Sequence, residues 1–341
     1  MIPAGSARCA APLALLLLLN SCGAGNVDRG VKQQDEIRER AQLIVFHAGS
    51  LSVPFRQIAD RFMAENKGVR VLLEAAGSRT CARKISDLGR RCDVIASADY
   101  TVIDELLIPE HANWNIRFAT NEMAIVYGAN SRRSVEITAD NWHEILLDPQ
   151  VAFGRSDPDA DPCGYRTVLT VMLAEEFYGV EGLADRLLAK DHRFIRPKET
   201  DLLPLLETHA IDYIFLYRSV ADQHGLNALL LPDEINLKSA AFADRYATAT
   251  VEVSGKKPGE KIVKTGAPMV YGVTIPHNSP SPELAVDFVR FLLDPSRGMA
   301  LMERNGQPSI VPAPTDSYDR LPEALLQYAS PPVETGIRVR E

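Results

Sequence analysis

The sequence predicts an α/β fold wound from strand, turn and helix units, and three observations carry that prediction. Short apolar runs of buried-strand type alternate with segments whose apolar residues recur at helical spacing. Glycine and a hydroxyl residue stand together where a strand hands over to a helix. Beyond residue 40 the chain offers about 300 residues, enough for one large domain or for two lobes with separate cores.

The elements follow in order. Leu43–Ala48 is a short apolar strand, and Pro54–Asn66 carries Phe55, Ile58, Ala59 and Phe62 on one helical face. Val69–Ala75 is the next strand, Thr80–Leu88 a helix and Asp93–Ser97 a third strand, so the opening third reads as a wound α/β lobe with parallel strands. Asn121–Gly128 is a further strand, followed by helices over Asn141–Leu147 and Gly164–Tyr178 and a short one over Leu202–Thr208. Ile211–Tyr217 is a strand running into a helix over Arg218–His224. The charged Ser254–Thr265 stretch is a hairpin or exposed loop, Met269–Ile275 resumes as a strand, and Pro282–Leu293 is an amphipathic helix. From Gln307 onward the Pro-rich tail carries few signals of regular structure, and no internal repeat occurs.

The first residues set the compartment. Arg8 is the only charge ahead of Leu13–Leu19, an apolar run suited to a signal segment but short of the roughly 20 residues that span a bilayer. The run ends in Leu19-Asn20-Ser21-Cys22, a small residue before a cysteine, which resembles a bacterial lipoprotein cleavage box. Residues 1–21 are therefore expected to be a lipoprotein signal peptide, Cys22 the lipidated N-terminus, and residues 22–40 a solvated tether. An ordinary secretory peptide with an incidental cysteine is the alternative, and either places the mature chain outside the cytoplasm.

Lys plus Arg is 37 against 45 Asp plus Glu, a net charge of −8, so nothing points to nucleic acid. An acidic protein can still bind an anion, because distant charges are screened over about 8 to 10 Å and local dipoles decide. With Cys9 in the signal segment and Cys22 assigned to lipid, Cys81, Cys92 and Cys163 remain. Their spacing matches no zinc site, most of a helix separates Cys81 from Cys92, and at least one free thiol is expected.

Ligands of α/β sheets gather at the carboxyl ends of strands. Two such places hold Gly49-Ser50-Leu51-Ser52 and Ala76-Gly77-Ser78-Arg79-Thr80, each with outward backbone N–H groups, a favourable helix dipole and a hydroxyl donor. Either turn alone is equally well a plain N-cap; two in adjacent units favour an oxyanion. Asp161-Pro162 makes a good helix start without any ligand, and Glu199 suits a first helical turn. On pattern alone His47 and Tyr217 are core or hydrogen-bonding side chains. No Ser, His and Asp arrangement, HExxH or phosphate-loop motif occurs.

The blocks Phe46-His47-Ala48-Gly49-Ser50-Leu51-Ser52, Glu74-Ala75-Ala76-Gly77-Ser78, Asp93-Val94-Ile95-Ala96-Ser97-Ala98-Asp99-Tyr100, Asp161-Pro162-Cys163-Gly164-Tyr165-Arg166, Tyr217-Arg218-Ser219-Val220-Ala221 and Tyr271-Gly272-Val273-Thr274-Ile275-Pro276 together resemble the tungstate/molybdate-binding proteins of ABC importers, in the branch first associated with archaea. The resemblance covers roughly Leu43 to Pro312. It implies a two-lobed periplasmic-binding-protein fold of type II, α/β in each lobe, with two hinge crossovers and the ligand in the interlobe cleft. On this reading residues 41–118 and 276–326 form lobe I, residues 119–275 lobe II and residues 327–341 a C-terminal tail, with crossings near Phe118–Glu122 and Pro268–Ile275.

The resemblance also assigns roles. Ser50 and Ser78 match two serine donors of the first lobe. Cys163 matches a small residue, usually alanine, whose backbone N–H donates, and Tyr217 matches a tyrosine whose hydroxyl reaches the anion. Asp161 and Glu199 match two carboxylates that act as direct ligands of the metal centre, raising it from four oxygens to six; hard, high-valent centres favour such donors. The implied ligand is tungstate or molybdate, with no cofactor, and the implied partners are a membrane permease with its ATPase. The chain is expected to be a monomer tethered to a membrane through its lipid. Two alternatives stand beside this: a receptor for another oxoanion such as sulfate or phosphate, and a secreted hydrolase using Asp161 and Glu199 as acid and base.

Overall fold

The structure, a computed structural model, describes residues 41–332. The residues expected to form a signal peptide, a lipidated Cys22 and a tether, and the end of the tail, lie outside the described residues. In chain order the strands are β1 Ala41–Ala48, β2 Val69–Ala76, β3 Val94–Ser97, β4 Ile116–Thr120, β5 Met123–Tyr127, β6 Phe153–Ser156, β7 Ile195–Arg196, β8 Tyr213–Tyr217, β9 Asn227–Leu230, β10 Thr250–Ser254, β11 Lys261–Thr265 and β12 Val270–Thr274, with a terminal bridge pairing Ala313–Pro314 to Ala329–Ser330.

Two five-stranded sheets result. The first runs β2-β1-β3-β12-β4 and the second β7-β6-β8-β5-β9. The chain leaves the first sheet between β4 and β5, at Asn121 and Glu122, and returns to it between β11 and β12. The sequence reading placed Val270–Thr274 in lobe II; it pairs antiparallel with β3 and β4 in the first sheet, so the return crossing precedes Val270. For the same reason the sheets are mixed rather than parallel throughout. A strand that re-enters from the other lobe arrives in the opposite sense, and β5 likewise runs antiparallel to β8 and β9.

Each lobe has its own aromatic packing. Helix Ser52–Glu65 meets helix Pro282–Leu293 through Phe62, whose ring stands edge-on to Phe288 at 5.3 Å and to Phe291 at 5.4 Å. The late helix thereby packs beside the first sheet, more than 200 residues from its partner in sequence. Under the second sheet Trp142 and Phe153 each set an edge against Phe215. The hairpin β10–β11 reaches from the second lobe over the first: Lys264 pairs with Glu105 at 2.8 Å, and Arg83 donates to the Gly255 carbonyl at 2.7 Å. Among the described residues no helix is long and apolar enough to cross a membrane.

Candidate functional site

Register brings the site together. β1 and β2 pair in parallel from Ala41 with Val69 to Ala48 with Ala76, so both strands stop at one level and the turns Gly49-Ser50 and Gly77-Ser78 lie side by side. In the second sheet β6 lies between β7 and β8 and is parallel to both. Asp161 follows β6, Glu199 follows β7 and Tyr217 ends β8. The candidate residues thus come from the carboxyl ends of five parallel strands, where α/β sheets collect ligands.

All six are buried: Ser50 is 1% exposed, Ser78 1%, Asp161 2%, Cys163 0%, Glu199 1% and Tyr217 0%, so the site is sealed from solvent in this structure. The seal is made by lobe-to-lobe contact. The Thr80 N–H donates to the Ala160 carbonyl at 3.1 Å, and Arg166 donates to the Ala98 carbonyl at 2.8 Å. At Gly77 a β-carbon would stand 2.3 Å from the Ala160 carbonyl oxygen and 2.9 Å from that of Pro197, so the first lobe needs a glycine where the second lobe's backbone closes on it.

On the first-lobe side, the Ser50 hydroxyl lies 3.0 Å from the Tyr271 hydroxyl, and the Ser78 hydroxyl accepts from the Ala98 N–H at 2.9 Å. On the second-lobe side, Asp161 caps helix Pro162–Tyr178: its Oδ1 accepts from the Cys163 N–H at 3.0 Å and its Oδ2 from the Glu199 N–H at 2.8 Å. Each carboxylate oxygen keeps a further lone pair. The Cys163 N–H, assigned by resemblance to the anion, is therefore held by the Asp161 cap here, and the Cys163 thiol turns to the Phe215 carbonyl at 3.7 Å. Tyr217 accepts from Arg166 at 3.0 Å.

Glu199 stands apart. Both of its carboxylate oxygens are buried and make no hydrogen bond of ordinary geometry among the described residues, with only the backbone N–H groups of Ser50 and of Glu199 itself near enough to favour the ionised form. They rest against Gly49, where a β-carbon would lie 2.7 Å from each. Burial first, and then the neighbouring Asp161 carboxylate, push the Glu199 acid well above the usual carboxylate range. An unpaired buried carboxylate costs several kcal/mol unless something compensates it. Among the described residues no group of three or more His, Cys, Asp and Glu could hold a metal ion by protein ligands alone. The strand ends instead bring two carboxylates, Asp161 and Glu199, and three hydroxyls, Ser50, Ser78 and Tyr217, into the buried seam between the lobes.

Sequence reasoning missed the residues behind these. Arg166, 4% exposed, bridges Ala98 and Tyr217. Tyr271 in β12 and Gln307 from the far tail close around Ser50, with Asn121 at the outward crossing donating to the Tyr271 hydroxyl at 2.9 Å and the Gln307 amide donating to the Ser50 carbonyl at 3.0 Å. The blocks that contain Arg166 and Tyr271 carried a signal, and nothing local marks Gln307. His47 is a core side chain bonded to the Ala48 carbonyl at 2.8 Å and packed on Phe55, as its pattern predicted. Cys81, Cys92 and Cys163 are all free and buried, in keeping with the expected free thiol.

Comparison with known proteins fits this geometry. A solute-binding protein of Petrotoga mobilis, uncharacterised, is 52% identical over 288 residues, covering 84% of this chain and 89% of its own. Two proteins named molybdate/tungstate-binding protein WtpA are similar as well. The one from Pyrococcus abyssi is 38% identical, with 92% of this chain and 96% of its own covered; the one from Thermococcus kodakarensis is 39% identical, with 86% and 89% covered. Among solved structures the fold matches the periplasmic molybdate-binding protein of Azotobacter vinelandii with a TM-score of 0.57 at 16% identity, over 78% of this chain and 98% of that one. A model of the bacterial extracellular solute-binding protein family matches residues 43–306. With its two lobes, its strand-end site and these relatives, the chain belongs to the bacterial extracellular solute-binding protein family.

Proposed function

We propose that this protein is the extracytoplasmic receptor of an ABC importer for molybdate or tungstate, and that Asp161 and Glu199 complete a six-coordinate metal centre with the anion's four oxo oxygens. The observation that carries the reading is the buried Glu199 carboxylate without a hydrogen bond of ordinary geometry, set beside the capped Asp161 carboxylate. Two acids facing one small space repel a simple anion. They are favourable neighbours of a hexavalent metal that accepts oxygen donors. The two relatives named as molybdate/tungstate binders support the same ligand class.

In this mechanism the open protein receives the anion on the Ser50 and Ser78 hydroxyls, and closure about the two crossings brings Asp161, Glu199, Cys163 and Tyr217 from the other lobe. Burial then strengthens each hydrogen bond and metal-to-oxygen contact in a lower dielectric. Sulfate loses because its small central atom does not expand to six neighbours. Phosphate loses further because it carries protons at neutral pH that a donor-rich site cannot satisfy. No bond in the ligand breaks. The hydrolase alternative is set aside, since the family consists of solute-binding proteins.

The closed receptor would act as a monomer, anchored through a lipid on Cys22, and hand its cargo to a membrane permease driven by an ATPase; the leucine run and Ser21-Cys22 support the anchor. Tungsten-edge X-ray absorption on the loaded protein tests the central claim. Six oxygen neighbours are expected, falling to four when Asp161 and Glu199 are both replaced by alanine; four in the wild type would refute the proposal. Titration calorimetry on the same double variant is expected to show tungstate weakened more than sulfate.

A further inference from the structure

One element of the second lobe joins neither large sheet. The hairpin β10–β11 pairs only with itself, and a two-stranded ribbon is marginal on its own, so its contacts elsewhere decide where it sits. Its base belongs to the second lobe: the Ser254 N–H donates to the Asp159 carboxylate at 2.6 Å and the Gly266 N–H to the Ala249 carbonyl at 2.9 Å. Other polar groups go to the first lobe. The Ser254 carbonyl accepts from Arg79, which is fully enclosed, and from Arg83. The single buried residue of β11 is a lysine, Lys264, 5% exposed, at a place where an apolar side chain ordinarily packs. Its ammonium reaches both Glu105 oxygens, at 2.8 and 3.0 Å, donates to the Thr101 hydroxyl and stands 3.7 Å from the Asp99 carboxylate. Asp99 caps helix Tyr100–Leu106 of the first lobe, and the other two partners stand on it.

We propose that Lys264 is a positioning residue for closure, and that the β10–β11 hairpin is a strap holding the lobes together away from the ligand, so that it scales affinity for every oxoanion by the same factor and chooses among none. This rests on the proposed function, which supplies the ligands and the closure. Asp99, Thr101 and Glu105 all lie outside the six candidate site residues. Separated lobes would leave the Lys264 ammonium and the Glu105 carboxylate in water, whereas apposed lobes exchange that water for two charge-assisted hydrogen bonds. Burial pushes the Asp99 carboxyl up, but Lys264 and Arg166 outweigh it and hold the group well below the usual carboxylate range, so the charge facing the strap is kept. An exposed ion pair contributes little; here the lysine is buried, and removing it breaks a pair already taken out of water. A ligand that needs the closed form has its apparent affinity scaled by the fraction of protein able to close, whatever its own chemistry. The strap changes that fraction, and the residues that touch the anion change the ranking.

Lys264→Met keeps the side chain's length and removes its charge, and it leaves Asp99 with Arg166, Tyr165 and the Thr101 N–H. Tungstate and molybdate are the probes, titrated by calorimetry into the purified protein. Both affinities are expected to fall about tenfold, the scale of a lost hydrogen-bonded charge pair, with their ratio unchanged and the loss carried by faster release. Glu105→Gln, at a partner about one-third exposed, should act in the same direction, and combining it with Lys264→Met should add little. A second measurement needs no ligand. The Thr80 N–H stands in the first turn of helix Ser78–Ser86, where no carbonyl of that helix can accept it, and its partner is the Ala160 carbonyl of the other lobe at 3.1 Å. Its deuterium exchange in the ligand-free protein therefore reports opening, and Lys264→Met should speed it several-fold while the amides of β1 and β5 keep their rates. Unchanged affinities, a changed tungstate-to-molybdate ratio, or unchanged Thr80 exchange would overturn the strap. If neither anion binds the wild-type protein, the proposed site fails instead, and the Thr80 amide still judges the strap.

Discussion

The carboxylate of Glu199 lies on the α-carbon of Gly49, so close that a methyl group there would stand 2.7 Å from both oxygens. One lobe supplies a bare backbone and the other an acid without a hydrogen bond of ordinary geometry. Replacing the acid by its amide keeps the shape and removes the charge. Glu199→Gln is therefore expected to weaken tungstate about tenfold or more, the scale of a lost charge-assisted contact, while sulfate changes much less. Competition calorimetry on the two anions reads the difference, and equal losses would count against a metal-directed role.

Gly77 tests closure in isolation. Its backbone, at φ −56° and ψ 140°, is open to any residue, so alanine carries no local strain. What alanine meets is the Ala160 carbonyl of the other lobe, 2.3 Å from its β-carbon. Gly77→Ala should lower tungstate affinity about tenfold or more, since overpacking typically costs 1–3 kcal/mol, while the ligand-free melting temperature shifts by no more than about a degree because an open form avoids the clash. A large drop in the ligand-free melting temperature would place the contact in both states.

The three described thiols are predicted to be inert in the native protein. Burial pushes Cys81 up to about 12 and raises Cys163 well above the ordinary thiol range, and the thiolate is the reactive form. A thiol reagent at neutral pH should label none of Cys81, Cys92 and Cys163 until urea unfolds the chain, and then all three. Cys163→Ala should keep tungstate affinity within about twofold, because the thiol bonds only weakly to the Phe215 carbonyl.

His47 makes stability depend on pH. Burial holds its imidazole down to about 4, against an ordinary 6.5. The folded protein therefore favours the neutral ring. Its contribution is fully present above pH 6.5 and is lost as pH falls toward 4, amounting to about 3 kcal/mol over that window. Thermal melts from pH 7.5 to 4.5 should show a falling melting temperature, with a shallower slope in His47→Gln. An unchanged slope would assign the acid sensitivity to other groups.

The sequence by itself determined the local grammar of this protein. The apolar runs placed β1, β2, β3, β5 and β8 within a residue or two, the Asp161-Pro162 pair marked a helix start, and the Gly49-Ser50 and Gly77-Ser78 turns were visible as donor sites. Each of these follows from residues within one turn or strand. Strands such as β4, β6 and the two-residue β7 were not legible, because neighbours rather than their own pattern hold them. Tertiary structure alone decided that β12 returns to the first sheet, that Gln307 reaches Ser50 across 257 positions, and that Arg166 ties Tyr217 to Ala98. It also turned the Cys163 N–H to Asp161 and left Glu199 without a hydrogen bond of ordinary geometry. The physical reason is common to all: propensity and periodicity are local, whereas hydrogen-bond satisfaction in a sealed interface depends on which groups the closed chain brings within about 3 Å of one another.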